Sequence, residues 1–126
     1  MGTRSTIQFY NEYDQENPIL CIYQQYDGHI ESVGHELAIW LKGKTLINGI
    51  QNQKMEGGFA NGMGCLAAQY VAAHKNGIGG FYLTTKNDEQ QYNYRVRFVE
   101  GKIQIEVDNI FKGTPDELLN YKQEEE

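Results

Sequence analysis

Between residues 4 and 10, apolar Ile7 and Phe9 alternate with polar neighbours, and between residues 19 and 25, Leu20 and Ile22 alternate in the same way. Successive side chains of a strand point to opposite faces, so the pattern predicts two paired strands, each with one oily side. The polar link at residues 11–18 ends in Asn17-Pro18, a turn-forming pair, and is long enough to be mobile. Tyr26-Asp27-Gly28 closes the second strand. The period then changes. Val33, Leu37, Trp40 and Leu41 fall at helical spacing up to Gly43, which reads as a C-terminal stop. A second helix is predicted from Gly62, with Met63, Leu66, Ala67, Tyr70, Val71 and His74 on one stripe and Asn76-Gly77 ending it. That stripe reads as core packing.

Three more strands are predicted at residues 80–84, 92–99 and 102–107, the last two joined by a tight Glu100-Gly101 hairpin. Tyr94, Val96 and Phe98 alternate with Asn93, Arg95 and Arg97, and Ile103, Ile105 and Val107 with Lys102, Gln104 and Glu106. Thr114-Pro115-Asp116-Glu117 is the signature of a helix start. The order ββααβββ plus a short C-terminal helix implies an α+β fold, an antiparallel sheet of about five strands with two helices packed on one face. Residues 1–118 form a single ligand-binding domain in this reading, and residues 119–126 an acidic tail expected to fray.

Composition narrows the function classes. A chain of 126 residues, 40% hydrophobic, suits one core without disulfide support. Cys21 and Cys65 fall on a strand and a helix with no secretory signal before them, which points to a reducing, cytoplasmic setting. Metal-ligand spacing is absent, no cofactor motif is present, and no apolar run approaches the ~20 residues that cross a bilayer. The net charge of −6 argues against binding long nucleic acid. From Thr114 onward the chain has five acidic residues and one lysine, so the rest of it is close to neutral and could hold a small anion in a local pocket.

The richest chemistry lies at Asn61-Gly62-Met63-Gly64-Cys65, small and bare backbone at a helix start. Main-chain N–H groups there can approach a ligand closely, and the positive end of the helix dipole favours an anion such as phosphate. Cys65 in the first turn also has a nucleophile reading, because the same dipole lowers a thiol pKa. Plain packing is the third reading. The polar sheet face, with Arg4, Thr6, Gln8, Cys21, Tyr23 and Gln25 joined by Arg95 and Arg97, is expected to be exposed. It could bind a nucleotide, form a homodimer interface, or be solvated with cross-strand pairs such as Arg97–Glu106. A cysteine hydrolase would need a histidine near Cys65 and a group to orient it, and only the cysteine is visible. His35-Glu36 lacks the downstream Pro-Cys-x-x-Cys of zinc deaminases. Gly43-Lys44-Thr45 echoes only the end of a phosphate-binding Walker loop, and it follows a helix instead of preceding one.

Gly2-Thr3-Arg4-Ser5, Tyr23-Gln24-Gln25-Tyr26-Asp27-Gly28, the segment Asn61 to Gln69, Phe81-Tyr82-Leu83 and Tyr92-Asn93-Tyr94 together resemble the phage anti-Thoeris sponge proteins, type one. The resemblance runs from Gly2 to about Leu118 and rests on the order and spacing of these motifs. It implies a protein that is not an enzyme and that sequesters, without cleaving, the cyclic ADP-ribose isomers (glycocyclic ADP-ribose) used as alarm signals by bacterial Thoeris immunity. It further implies a cytoplasmic homodimer in the infected cell, with two equivalent pockets near the subunit interface. Some members assemble into hexamers, trimers of dimers, that hold cyclic trinucleotides at separate sites. With no catalytic residue, the ligand set is then Arg4 and Arg97 with the Gly62 and Gly64 amides on phosphate, Asp27 and Asn61 on ribose, and Tyr23, Tyr26 and Met63 around the base. A cysteine hydrolase using Cys65 and a protein-interaction module are the alternatives.

Overall fold

The two leading alternating segments pair as their patterns require. Ser5–Phe9 (β1) runs antiparallel to Leu20–Gln24 (β2), with Ile7 opposite Ile22 and Phe9 opposite Leu20, so the oily faces coincide. The structure, a computed structural model, describes residues 2–47, 58–86 and 88–121. After a single π-type turn at Ile30–Gly34 come the helix His35–Lys42 (α1), the short strands Thr45–Ile47 (β3) and Phe59–Asn61 (β4), and the helix Gly62–His74 (α2). Phe81–Thr84 (β5), Tyr92–Val99 (β6), Lys102–Val107 (β7), Phe111–Gly113 (β8) and the helix Pro115–Leu119 (α3) follow among the described residues. Of the tail expected at residues 119–126, residues 122–126 lie outside the described part; Leu119 ends α3, and Tyr121 packs its ring 5.3 Å from that of Phe111.

The α+β class is as expected, but the sheet corrects the expectation in two respects. It has six strands, ordered β5-β2-β1-β6-β7-β8, and β1 and β6 run parallel. Hairpin links force β1–β2 and β6–β7 to be antiparallel. β6, however, returns to β1 only after the chain has crossed the helices, and a crossover of that length permits the parallel direction. β3, β4 and β8 are three residues each, too short to display an alternation. At the β6–β7 hairpin Glu100 and Gly101 take φ of 52° and 78°, the paired left-handed geometry of a type I′ turn.

The three helices of the described residues pack on the oily face. Leu37 and Leu41 of α1, Leu66 and Tyr70 of α2 and Leu118 of α3 are fully buried against Ile7, Phe9, Val96 and Ile105 of the sheet. Tyr70 is the hub of an aromatic cluster, with ring centroids 5.6 Å from Phe9, 5.1 Å from Trp40 and 3.9 Å from His74. Burial pushes its hydroxyl far above the usual phenol range, so it stays protonated. α3 is fixed by a capping box: Glu117 N donates to Thr114 Oγ1 at 3.2 Å and Thr114 N donates to the Glu117 carboxylate at 2.8 Å.

The opposite, polar face is not the open surface its composition suggested. Thr6, Gln8 and Asn93 are 0%, 2% and 3% exposed, and Cys21 is buried beside them. Their polar atoms meet one another. Thr6 Oγ1 donates to Asn93 Oδ1 at 2.7 Å, Gln8 Nε2 to Thr6 Oγ1 at 3.4 Å and Tyr10 Oη to Gln8 Oε1 at 2.8 Å. Asn93 Nδ2 donates to Gln90 O at 2.9 Å and to Asp108 Oδ1 at 3.2 Å, while Asn93 Oδ1 also accepts from Gln90 N at 2.9 Å. Arg95 bridges Glu89 at 3.1 Å and Asp108 at 3.5 Å; Arg97 pairs with Glu106 at 2.6 Å, the cross-strand pair expected from sequence. Gln15 O from the loop after β1 accepts from Arg97, and Gln90 from the segment before β6 bonds Asn93, so this face is engaged by neighbouring chain where sequence alone registers only polarity.

Asn93→Ala removes the acceptor of the buried Thr6 hydroxyl and of the Gln90 amide, and should cost about 2–4 kcal/mol in urea denaturation, because these polar groups lose their partners. Thr114→Ala, at a surface cap, should cost about 1 kcal/mol. A smaller loss for Asn93→Ala than for Thr114→Ala would show that the network contributes little.

Candidate functional site

The start of α2 is shaped by its glycines. Gly62 sits at φ 85°, in the left-handed region, and a Cβ added there or at Gly64 would touch nothing within 4 Å. Asn61 makes no side-chain cap bond to this helix and its first turn holds no acidic residue. The helix end therefore presents backbone N–H groups with a partial positive charge of about +0.5. β4 carries this end into place by pairing in parallel with β3, Leu46 beside Ala60 and Ile47 beside Asn61. Gln69 Nε2 ties the helix back to Phe59 O at 3.1 Å.

Together these elements enclose a pocket of about 530 Å³. Its lining includes Asn61, Gly62, Met63 and Gly64, with Leu46, Ile47 and Phe98 adding apolar surface. The loop after β1 contributes Asn11, Glu12 and Tyr13. Its turns are set by side chains. Asn11 Oδ1 accepts from Tyr13 N at 2.9 Å and Asp14 N at 2.8 Å, and Asp14 Oδ1 accepts from Glu16 N at 3.0 Å and Asn17 N at 3.1 Å. The bond from the Glu16 amide, followed by those from Asn17, holds the Asp14 carboxyl below its ordinary pKa. With a folded pKa depressed, its contribution is present above the ordinary carboxylate range and is lost as pH falls through the folded value.

The pocket gathers Asn61, Gly62, Met63 and Gly64 from the expected ligand set and leaves the others elsewhere. Arg4, Tyr26 and Asp27 lie at the opposite end of β1, roughly 20 Å from the Asn11 end at strand rise. Asp27, at φ 59°, turns the chain there, and its carbonyl accepts from Val33 N at 3.1 Å. Tyr23 is on the polar face, its ring 6.1 Å from Tyr82. Arg97 is on that face too, paired with Glu106, donating to Gln15 O at 3.2 Å and 4.1 Å above the Tyr10 ring. Pleating sends its neighbour Phe98 to the pocket instead. Glu12, Tyr13, Leu46, Ile47 and Phe98 were not anticipated as site residues; the apolar pair Leu46-Ile47 just after the Gly43-Lys44-Thr45 echo was the one available signal.

Chemically the pocket offers amide donors, an apolar wall and one carboxylate, with no lysine or arginine among its described lining residues. Cys65 follows Gly64 in the first turn of α2 and is half-buried. His74 lies nine residues further along the same helix, about 13 Å away by helix rise. Its ring is stacked on Tyr70, with Nδ1 2.9 Å from Tyr70 O, while His29 Nε2 lies 3.3 Å from Ser32 Oγ. Among the described residues no group of three His, Cys, Asp or Glu is placed to hold a metal, and no helix is long and apolar enough to cross a membrane.

Compared with known proteins, the chain matches no protein family, no curated protein and no solved structure.

The two glycines should respond oppositely to alanine. Gly62→Ala forces a left-handed residue to carry a Cβ and should destabilise by about 1–2 kcal/mol. Gly64→Ala, in open space inside the helix, should stabilise by up to about 1 kcal/mol. Thermal denaturation of both variants checks the sign at each position.

Proposed function

We propose that the protein is a sponge for a compact, adenine-bearing cyclic phosphate of the cyclic ADP-ribose class, which it binds and holds without cleaving. The observation that carries this reading is the pocket of about 530 Å³ walled by Asn61, Gly62, Met63 and Gly64. The same segment is the longest of those on which the resemblance to anti-Thoeris sponges rests. A volume in the common range for small-ligand sites suits one such molecule. In this reading the amides around Gly62 and Gly64 take a phosphate, Asn61 takes a ribose hydroxyl, and Met63 with Leu46 and Phe98 forms the wall against the base.

Glu12 disfavours an anion, so in this reading further positive charge comes from beyond the described lining of the pocket. A second copy of the chain is the natural source. In this reading Arg4, exposed at the far end of β1, serves the pocket of a neighbouring subunit in a homodimer that closes two equivalent sites. Trimers of dimers and cyclic trinucleotide binding at separate sites extend the same proposal, as does action in the cytoplasm of an infected bacterium. A sponge must outcompete a host receptor, and nanomolar binding corresponds to about 12 kcal/mol, which requires an enclosed, preformed site.

Incubating the protein with cyclic ADP-ribose isomers, denaturing it by heat and recovering the ligand unchanged by chromatography is the decisive measurement. A converted product would instead support a hydrolase centred on Cys65. Calorimetry should give submicromolar affinity for at least one isomer, weakened about tenfold or more in Gly64→Leu, which fills the pocket, and in Arg4→Ala. Absence of submicromolar binding for every isomer rejects the sponge; unchanged affinity in Arg4→Ala rejects that residue's role alone.

A further inference from the structure

Of the two glycine-rich stretches that bound α2, the pocket uses only the one at its start. The other, Asn76-Gly77-Ile78-Gly79-Gly80, links α2 to β5. Its ends are held. Lys75 N donates to Val71 O at 2.9 Å as the last helical bond, the Lys75 ammonium donates to Phe81 O at 2.6 Å, and Gln25 N donates to Gly80 O at 3.2 Å. Between those ties the chain is open: Asn76 and Gly77 are exposed, Ile78 at the tip is fully exposed, and among the described residues no hydrogen bond engages Asn76 or Gly77. We propose that Asn76-Gly77 is a site of spontaneous deamidation, where the folded protein converts asparagine to a mixture of aspartate and isoaspartate.

The chemistry needs water as its one co-reactant. The Gly77 backbone nitrogen attacks Cγ of Asn76; a new Cγ–N bond forms, the Cγ–Nδ2 bond breaks, and the amide proton leaves with ammonia, closing a five-membered succinimide. Water then opens the ring at either carbonyl. Cleavage of the new Cγ–N bond leaves aspartate, and cleavage of the original peptide C–N bond leaves isoaspartate, with the main chain routed through Cγ. A Cβ on the following residue would crowd the attack, and glycine has none. The attack also requires the Asn76–Gly77 backbone to rotate, which neither a sheet ladder nor a helix bond opposes here. Gly77, Gly79 and Gly80 sit at φ of 73°, 85° and 78°, so the stretch is built from residues with no side chain to pack.

Asn61-Gly62 is the same dipeptide in the opposite situation. Asn61 closes β4 opposite Ile47 and Gly62 opens α2, so turning that peptide toward the side chain disrupts a strand end and a helix start together. The fold thus sorts two chemically alike pairs into a slow one at the pocket and a fast one at the far end of the same helix, about 20 Å away at helix rise. Each conversion at position 76 adds a negative charge to a chain already at −6, just past the end of α2 where the dipole is negative too. The isoaspartate form also lengthens the main chain between α2 and β5.

Incubating the folded protein at mildly alkaline pH, then mapping tryptic peptides by a method that resolves aspartate from isoaspartate, tests this. Cleavage after Lys44, Lys54, Lys75 and Lys86 puts Asn48, Asn61 and Asn76 on separate peptides, so each Asn-Gly pair is read by itself. The Asn76 peptide should convert about tenfold or more faster than the Asn61 peptide, because a pair held in regular structure reacts only from its locally opened fraction. In protein unfolded by urea the two rates should come within about threefold of each other, since the fold no longer separates them. Asn76→Gln, whose longer side chain closes a ring far more slowly, should abolish conversion at this peptide and leave the urea midpoint unchanged. No ligand enters either readout, so this site stands or falls independently of the sponge. Equal rates at Asn76 and Asn61 in the folded protein, or no isoaspartate at position 76, overturns the proposal.

Discussion

Everything in this molecule is referred to β1, a strand buried on both faces along its whole length. A buried strand normally requires apolar side chains on each face, but Thr6 and Gln8 make one of its faces polar. That is tolerable only because Asn93 of β6 stands opposite Thr6 and accepts its hydroxyl proton at 2.7 Å. The bond also fixes register. A slip of one residue would carry Asn93 under the helices and drive Tyr94 into the polar network, so the wrong alignment loses both a core and a set of hydrogen bonds.

The register propagates to the pocket. With Phe9 beside Val96, β1 ends where Phe98 emerges, and the loop that begins at Asn11 has to turn across that point. Phe98 points to the oily side because Arg97 points to the polar one, where Glu106, Gln15 and Tyr10 occupy its guanidinium. The glycine-rich start of α2 reaches the same place by an independent route, through the parallel β3–β4 pair. Two pieces of chain far apart in sequence thus meet around a hollow whose shape neither one specifies.

What could be read from sequence follows the range of the signal. Alternation at Ile7 and Phe9, or at Ile103, Ile105 and Val107, is local, and the strands it marks are where the pattern puts them. So are the helical stripe from Met63 to Tyr70, the cap at Thr114 and the Arg97–Glu106 pair. The parallel neighbourhood of β1 and β6 is a long-range choice with no local mark, and three-residue strands are too brief to show a period. Polarity misled at Gln8 and Asn93, since a polar residue with a buried partner looks, in sequence, like one facing water. The bare backbone of Asn61 to Gly64 was legible as a potential site. Arg4, Tyr26 and Asp27 were grouped with it by residue chemistry, which is blind to which end of a sheet a residue occupies.

The pairing of the first strand with the sixth also bears on how the chain is made. On a ribosome adding about 5–20 residues per second, β1 and β2 emerge several seconds before β6 exists. Throughout that interval the β6 side of β1 is an open edge, the kind of template on which chains aggregate. Thr6 and Gln8 make half of that waiting strand hydrophilic. A face that looks wasteful in the finished core is, for the nascent chain, a means of staying in water until its partner is synthesised.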